Sequence, residues 1–277
     1  MPRQQGATVR RIWRMPALLL AVVACRSEPA ATPTFLGQWV WTARDASLLQ
    51  TTRRTMPTLH AGVWVATIEG RGDSLVGTLG RPIDATMGDD VEAVIRIDDS
   101  FTPLWGRASA DVIAAGLEER LRRVLSVVER EGAVAALQLD YDAPVSRLGD
   151  YAALLARLRA PGHVLAGRHV WVTSLVAHLA DPDYGKRLRP LVDGHIVQLF
   201  DTGDSYTSAR VEVVRDRLRR AAMPFRVGVG AFERRLARGE TTHRAWFGFL
   251  PIAAQSPWFR GAWIFPGGEA YQQYLTR

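Results

Sequence analysis

The chain has 277 residues, 47% of them hydrophobic and 23% charged, and a formal net charge of +7. That composition is globular and sufficient to bury a sizeable core, while the single cysteine excludes an intrachain disulfide and a cysteine-only zinc site. Lys186 is the only lysine, and arginines lie mixed with acids in helix-like stretches such as Glu118–Arg123 and Arg215–Arg220, which argues against nucleic acid as a partner.

In chain order, the first sixteen residues carry Arg3, Arg10, Arg11 and Arg14 with no acidic residue among them. Ala17–Ala24 is a short apolar run, too short to span a bilayer. It ends at Val22-Val23-Ala24-Cys25, which resembles the bacterial lipobox. The resemblance implies cleavage before Cys25, lipidation of Cys25 and membrane attachment through it. An ordinary secretory leader with an incidental cysteine is the alternative. Arg26 stands where an aspartate would argue for inner-membrane retention, which points to the outer membrane. The expected organisation is a lipoprotein signal peptide over 1–24, a lipidated cysteine and flexible tether over 25–35, and a folded domain over 36–277.

The domain alternates strand-like and helical patterns. Strands are expected at 36–42, 62–69, 91–98, 134–142, 169–174, 195–200, 225–230 and 261–266. Helices are expected at 45–54, 109–131, 150–159, 208–222 and 269–275, with a weaker one around 182–191. The helix at 109–131 has the clearest spacing: Val112, Leu117, Leu121, Val124, Leu125 and Val128 form one stripe, and Gly132 ends it. Eight strands with helices between many of them predict a single α/β domain, a (β/α)8 TIM barrel. Two stretches fit it poorly, a Gly-rich polar run at 70–90 and patchy helical character at 232–260.

Chemistry concentrates in the fourth strand, Val134-Ala-Ala-Leu-Gln-Leu-Asp-Tyr-Asp-Ala-Pro144. Side chains alternate along a strand, so Gln138, Asp140 and Asp142 share one face, and Leu137, Leu139 and Tyr141 the other. In a β/α barrel the C-terminal strand ends carry the chemistry. Pro144 stops the ladder, and Ser146 can cap the helix that follows. A bland reading treats the aspartates as turn and cap residues at a strand end. Otherwise the polar face sits at a polar mouth, pairs with Arg96 or meets a helix, because unpaired polar groups inside a barrel are expensive. The other strand ends add Glu69 from the second strand, Asp98 from the third, and Gln198 from the sixth with Asp201 after it.

Glycoside hydrolysis uses two carboxyl groups, one of them protonated. Residues two apart on a strand have Cα atoms about 6.6 Å apart, and carboxylates that close push one pKa up. This spacing falls between the retaining and inverting windows. Tryptophans, nine in all, can stack on a sugar's apolar face, although a strand tryptophan is more often core. On this reading Asp142 is the general acid, with Asp140 as its electrostatic partner. Glu69 is the candidate second carboxylate across the mouth. Gln138, Asp98 and Gln198 hold sugar hydroxyls, and Trp41 or Trp263 stacks. Gly228-Val-Gly-Ala-Phe-Glu233 lacks the third glycine of a dinucleotide loop, the histidines have no metal-ligand spacing, and no Gly-x-Ser-x-Gly occurs, so neither cofactor nor metal is expected.

The leader, the Trp39-Val40-Trp41 opening, and Leu137-Gln-Leu-Asp-Tyr-Asp142 followed by Leu148-Gly-Asp-Tyr-Ala-Ala153 together resemble a family of exported bacterial lipoproteins, a domain of unknown function with kinship to barrel glycoside hydrolases. The fourth strand is also similar to the chitinase-type motif, where alternating acids end in a catalytic Glu. In one register Asp140 and Asp142 take the aspartate places and Pro144 falls at the Glu. In the other, Gln138, Asp140 and Asp142 take the last three places and Asp142 stands in for the Glu. The resemblances imply a lipid-anchored barrel that hydrolyses or binds an envelope or extracellular glycan. The alternative is a non-catalytic glycan-binding or scaffold lipoprotein.

Overall fold

The computed structural model describes residues 35–200, 206–232, 234–236, 239–241 and 243–275. The leader, Cys25, the tether up to 34 and Asp201 lie outside the described residues.

The described elements run β1 (Leu36–Val40), α1 (Ala43–Arg53), β2 (His60–Arg71), β3 (Ser74–Leu79), β4 (Val91–Ile97), α2 (Ala110–Glu131), β5 (Val134–Tyr141), α3 (Leu148–Arg159), β6 (Val170–Leu175) and α4 (Tyr184–Leu188). They continue with β7 (Gly194–Gln198), α5 (Ser208–Ala221), β8 (Phe225–Gly230), β9 (Arg234–Leu236), β10 (Gly239–Thr241), α6 (Leu250–Ala253), β11 (Phe259–Phe265) and α7 (Gln272–Leu275). Strands β1, β2, β4, β5, β6, β7, β8 and β11 pair in parallel around a ring, which β1 closes by pairing with both β2 and β11. This is the expected eight-stranded (β/α)8 barrel.

Both irregular stretches have physical causes. β2 runs past the rim, and its outer half pairs antiparallel with β3 across a turn where Gly72 adopts φ +61°. Between β8 and β11 a short hairpin (β9 and β10), a 3-10 turn at His243–Phe249 and the four-residue α6 replace a full helix.

α2 begins where Ser109 Oγ accepts the Val112 N–H at 3.3 Å. It buries Ile113, Leu117, Leu121, Val124, Leu125 and Val128, whereas Val112, in the first turn, faces solvent. Gly132 ends it in extended backbone, and a Cβ there would stand 2.9 Å from Ile83 Cγ2. Ser146 does not cap α3: residues Val145–Arg147 form a 3-10 turn, and α3 starts without a side-chain cap.

β5 alternates as the sequence predicts. Leu137, Leu139 and Tyr141 join the main core beneath the helices. Ala136 and Gln138 point into the barrel, where Trp39, Val94, Trp171, Ile196 and Trp263 fill a second cluster. Large rings and glycines alternate there. A Cβ at Gly62 would lie 2.7 Å from Trp263, and one at Gly228 would lie 2.8 Å from Trp39. Deeper in the barrel, Arg226 pairs with Glu92 at 2.7 Å. Its guanidinium lies 3.8 Å from the Phe35 ring centroid and 3.9 Å from that of Trp171. The interior is therefore a packed core around a buried charge pair.

Candidate active site

Above the packed interior the strand ends surround a cavity of about 270 Å³. Trp39 is its floor. The indole stacks on Trp263 with ring centroids 5.7 Å apart and donates its N–H to Gln138 Oε1 at 2.8 Å. One wall is aromatic: Trp41, Phe200 and Phe265, the last two stacked at 5.3 Å. The other is polar: Arg96 from β4, Asp140 and Asp142 from β5, Thr173 from β6 and Gln198 from β7.

Asp140 keeps part of its surface at the cavity, but protein groups enclose its carboxyl. Burial pushes its pKa up, against hydrogen bonds from Thr173 and Gln198 and the Arg96 charge, which favour ionisation. Gln198 Nε2 donates to Asp140 Oδ1 at 3.1 Å. Thr173 Oγ1 accepts the Tyr141 N–H at 3.2 Å, which leaves its own proton for the carboxylate. Asp142 stands at the rim, exposed to solvent. Withheld water, then the charges of Asp140 and Asp99, push its pKa up to about 6, with Arg96 opposing. Because the residue is exposed, solvent screens part of that push. Burial thus pushes both carboxyls of the pair toward the protonated form, Asp140 enclosed and Asp142, two residues on, at the rim.

Four of the eight expected catalytic and binding residues line the cavity: Asp140, Asp142, Gln198 and Trp41. One face of Trp41 is covered by Trp64, stacked at 5.5 Å and 3°, so a ligand meets only what Trp64 leaves.

The other four lie elsewhere. Gln138 is fully buried one layer down, its oxygen taken by Trp39 and its amide by Glu92 Oε2 at 2.9 Å, so it cannot hold a sugar hydroxyl. Trp263 is fully buried beneath Trp39, so it cannot stack on a ligand. Glu69 sits on the part of β2 that overshoots the rim and pairs with Arg71 at 3.2 Å, so it does not face Asp142 across the mouth. Asp98 caps the 3-10 turn Asp99–Gly106 by accepting the Ser100 N–H at 3.0 Å. In their place the structure brings in Trp39, Val94, Arg96, Thr173, Phe200 and Phe265. Arg96 and Phe265 are the last inward-facing residues of β4 and β11. Among the described residues, no group of three or more His, Cys, Asp or Glu is arranged to hold a metal ion.

No protein-family model and no curated protein matches the chain. Solved structures do. The catalytic domain of a family GH18 chitinase from the fern Peteris ryukyuensis superposes with a TM-score of 0.56 at 11% identity, over 87% of this chain and 96% of its own. Concanavalin B gives 0.55 at 12% identity, over 88% and 97%. A xylanase–α-amylase inhibitor protein, solved with trehalose, gives 0.54 at 13% identity, over 87% and 96%. At these identities the likeness is one of fold: the chain is a TIM barrel whose structural neighbours are GH18-like.

Proposed function

We propose that the barrel acts on a glycan, with Asp142 as general acid and Asp140 as its electrostatic partner. The observation that carries this reading is the Asp142 carboxyl, its pKa raised to about 6, beside Asp140 at the rim of an aromatic-walled cavity. An acid with a pKa near the working pH is the one best suited to proton transfer. β5 is the fourth barrel strand, and Asp142, one residue past its end, lines the cavity. That supports the register in which Asp142 stands in for the chitinase-type Glu. Trp41, Phe200 and Phe265 offer apolar surface for a sugar ring.

Among the described residues no carboxylate from another strand lines the cavity. Among the described residues, then, no second carboxyl faces Asp142 across the mouth, and on this reading the nucleophile is water or the substrate's own acetamido group. A neighbour named as a chitinase makes 2-acetamido sugars the first substrates to try. The same missing carboxylate favours a second reading, a glycan-binding barrel without turnover. A glycan screen of the parent and Asp142→Asn separates them: hydrolysis lost in the variant supports the enzyme, and binding without hydrolysis in the parent supports the binder. The lipobox-like Val22–Cys25 supports a lipid anchor in the cell envelope, with the outer membrane favoured by Arg26.

A further inference from the structure

The barrel places two opposite charges side by side and then parts them. Arg96 on β4 and Asp140 on β5 are register partners across the ladder. Asp140 nonetheless turns to Gln198 on β7, and Arg96 turns to Trp41 just past β1, its guanidinium 5.9 Å from the ring centroid. Among the described residues Arg96 makes no ion pair and no hydrogen bond, and none of its nitrogens is sealed from solvent. A half-buried guanidinium thus lines the cavity with its donors open.

An open guanidinium over an aromatic ring is suited to a carboxylate, whose two oxygens match its planar fork. Charge in the surroundings narrows the choice. Asp98, Asp99, Asp140 and Asp142 are all close enough to interact with one another or with Arg96. Those carboxyls repel a doubly charged phosphate more strongly than a singly charged carboxylate, so of the two anions the carboxylate is the better match for the open fork. A cavity of about 270 Å³ falls below the range for drug-sized ligands and suits about one sugar ring.

We propose that Arg96 determines specificity, selecting a sugar with a carboxylate on the ring or on a short ring substituent. This rests on the glycan reading above and gives it a substrate class. Uronic acids and amino sugars with a lactyl ether are two sources of that chemistry.

Titration calorimetry tests it. The parent is titrated with a uronate-containing oligosaccharide, the methyl ester of that oligosaccharide, a lactyl-ether amino-sugar fragment, its methyl ester and a neutral chito-oligosaccharide. At least one acid is expected to bind about tenfold or more tighter than its ester, because hydrogen bonds to charged groups are the strong ones. Which acid does so identifies the source. Arg96→Gln is expected to bring that ratio to within about twofold of unity. If acid and ester bind the parent equally, or if Arg96→Gln weakens both and keeps their ratio, Arg96 serves only as a counter-charge to Asp140 and the inference is overturned. If no acid, ester or neutral chito-oligosaccharide binds, the glycan reading falls, and the inference with it. Should Arg96→Gln not fold, the acid-to-ester ratio in the parent decides alone.

Discussion

Trp39 donates its indole N–H to Gln138 at 2.8 Å, and Gln138 passes its own amide to Glu92 at 2.9 Å. With the Glu92–Arg226 pair, this makes one buried polar column from the depth of the barrel to the cavity floor. Every group in the column depends on the next. Gln138→Leu keeps similar bulk but strands the Trp39 N–H and one Glu92 oxygen. Each stranded group is worth about 1–3 kcal/mol. We expect urea denaturation to show a loss of about 2–5 kcal/mol. A loss under about 0.5 kcal/mol, the size of a neutral surface change, would mean the column is not structural.

The raised pKa of Asp142 fixes the sign of a pH effect. An aspartate in an unfolded chain titrates near about 3.9, and in the fold Asp142 titrates at about 6. The native state therefore holds this proton more tightly. The stability that follows is fully present below about pH 4 and is lost as pH rises through about 6. Asn at this position cannot titrate. The stability of the parent relative to Asp142→Asn should thus fall between pH 4.5 and pH 7.5, as read by denaturation at both. A difference that does not change with pH would contradict the assignment. In catalysis the protonated form is the active one, so turnover should decline above about pH 6 and rise toward lower pH.

Much of this was legible in the sequence, and the limits are instructive. Period-two alternation sorted Leu137, Leu139 and Tyr141 from Gln138 and Asp140, because the pleat dictates facing. Depth was not legible. Whether an inward residue lies at the mouth or one layer below depends on how neighbouring strands are staggered around the ring, which no single strand records. Gln138 and Trp263 were placed at the mouth for that reason, and each proved to be one layer under it. Glu69 misled because β2 continues beyond the rim to pair with β3, so its strand end is not a barrel end. Asp98 is the cap that strand-end aspartates often are. Arg96 was visible as a partner for the aspartates. That the two would part could not be read without the positions of Gln198 and Trp41.

The anchor is tested separately from the barrel. If Cys25 is lipidated, Cys25→Ser should lose fatty-acid label and move from the membrane fraction to the soluble one. Equal labelling of variant and parent would rule the anchor out and leave the barrel chemistry untouched.

The central claim is that Asp142 donates a proton to a glycan. Asp142→Asn keeps the size and some hydrogen bonding of the side chain but removes the donor. General acid help is worth about 10²–10⁴-fold in rate. Turnover of a glycan that the parent hydrolyses, measured for both proteins under the same conditions, should fall at least about a hundredfold in the variant, with ligand affinity nearly unchanged and the melting temperature no lower than the parent's. A variant that hydrolyses the glycan at the parent's rate would contradict the account.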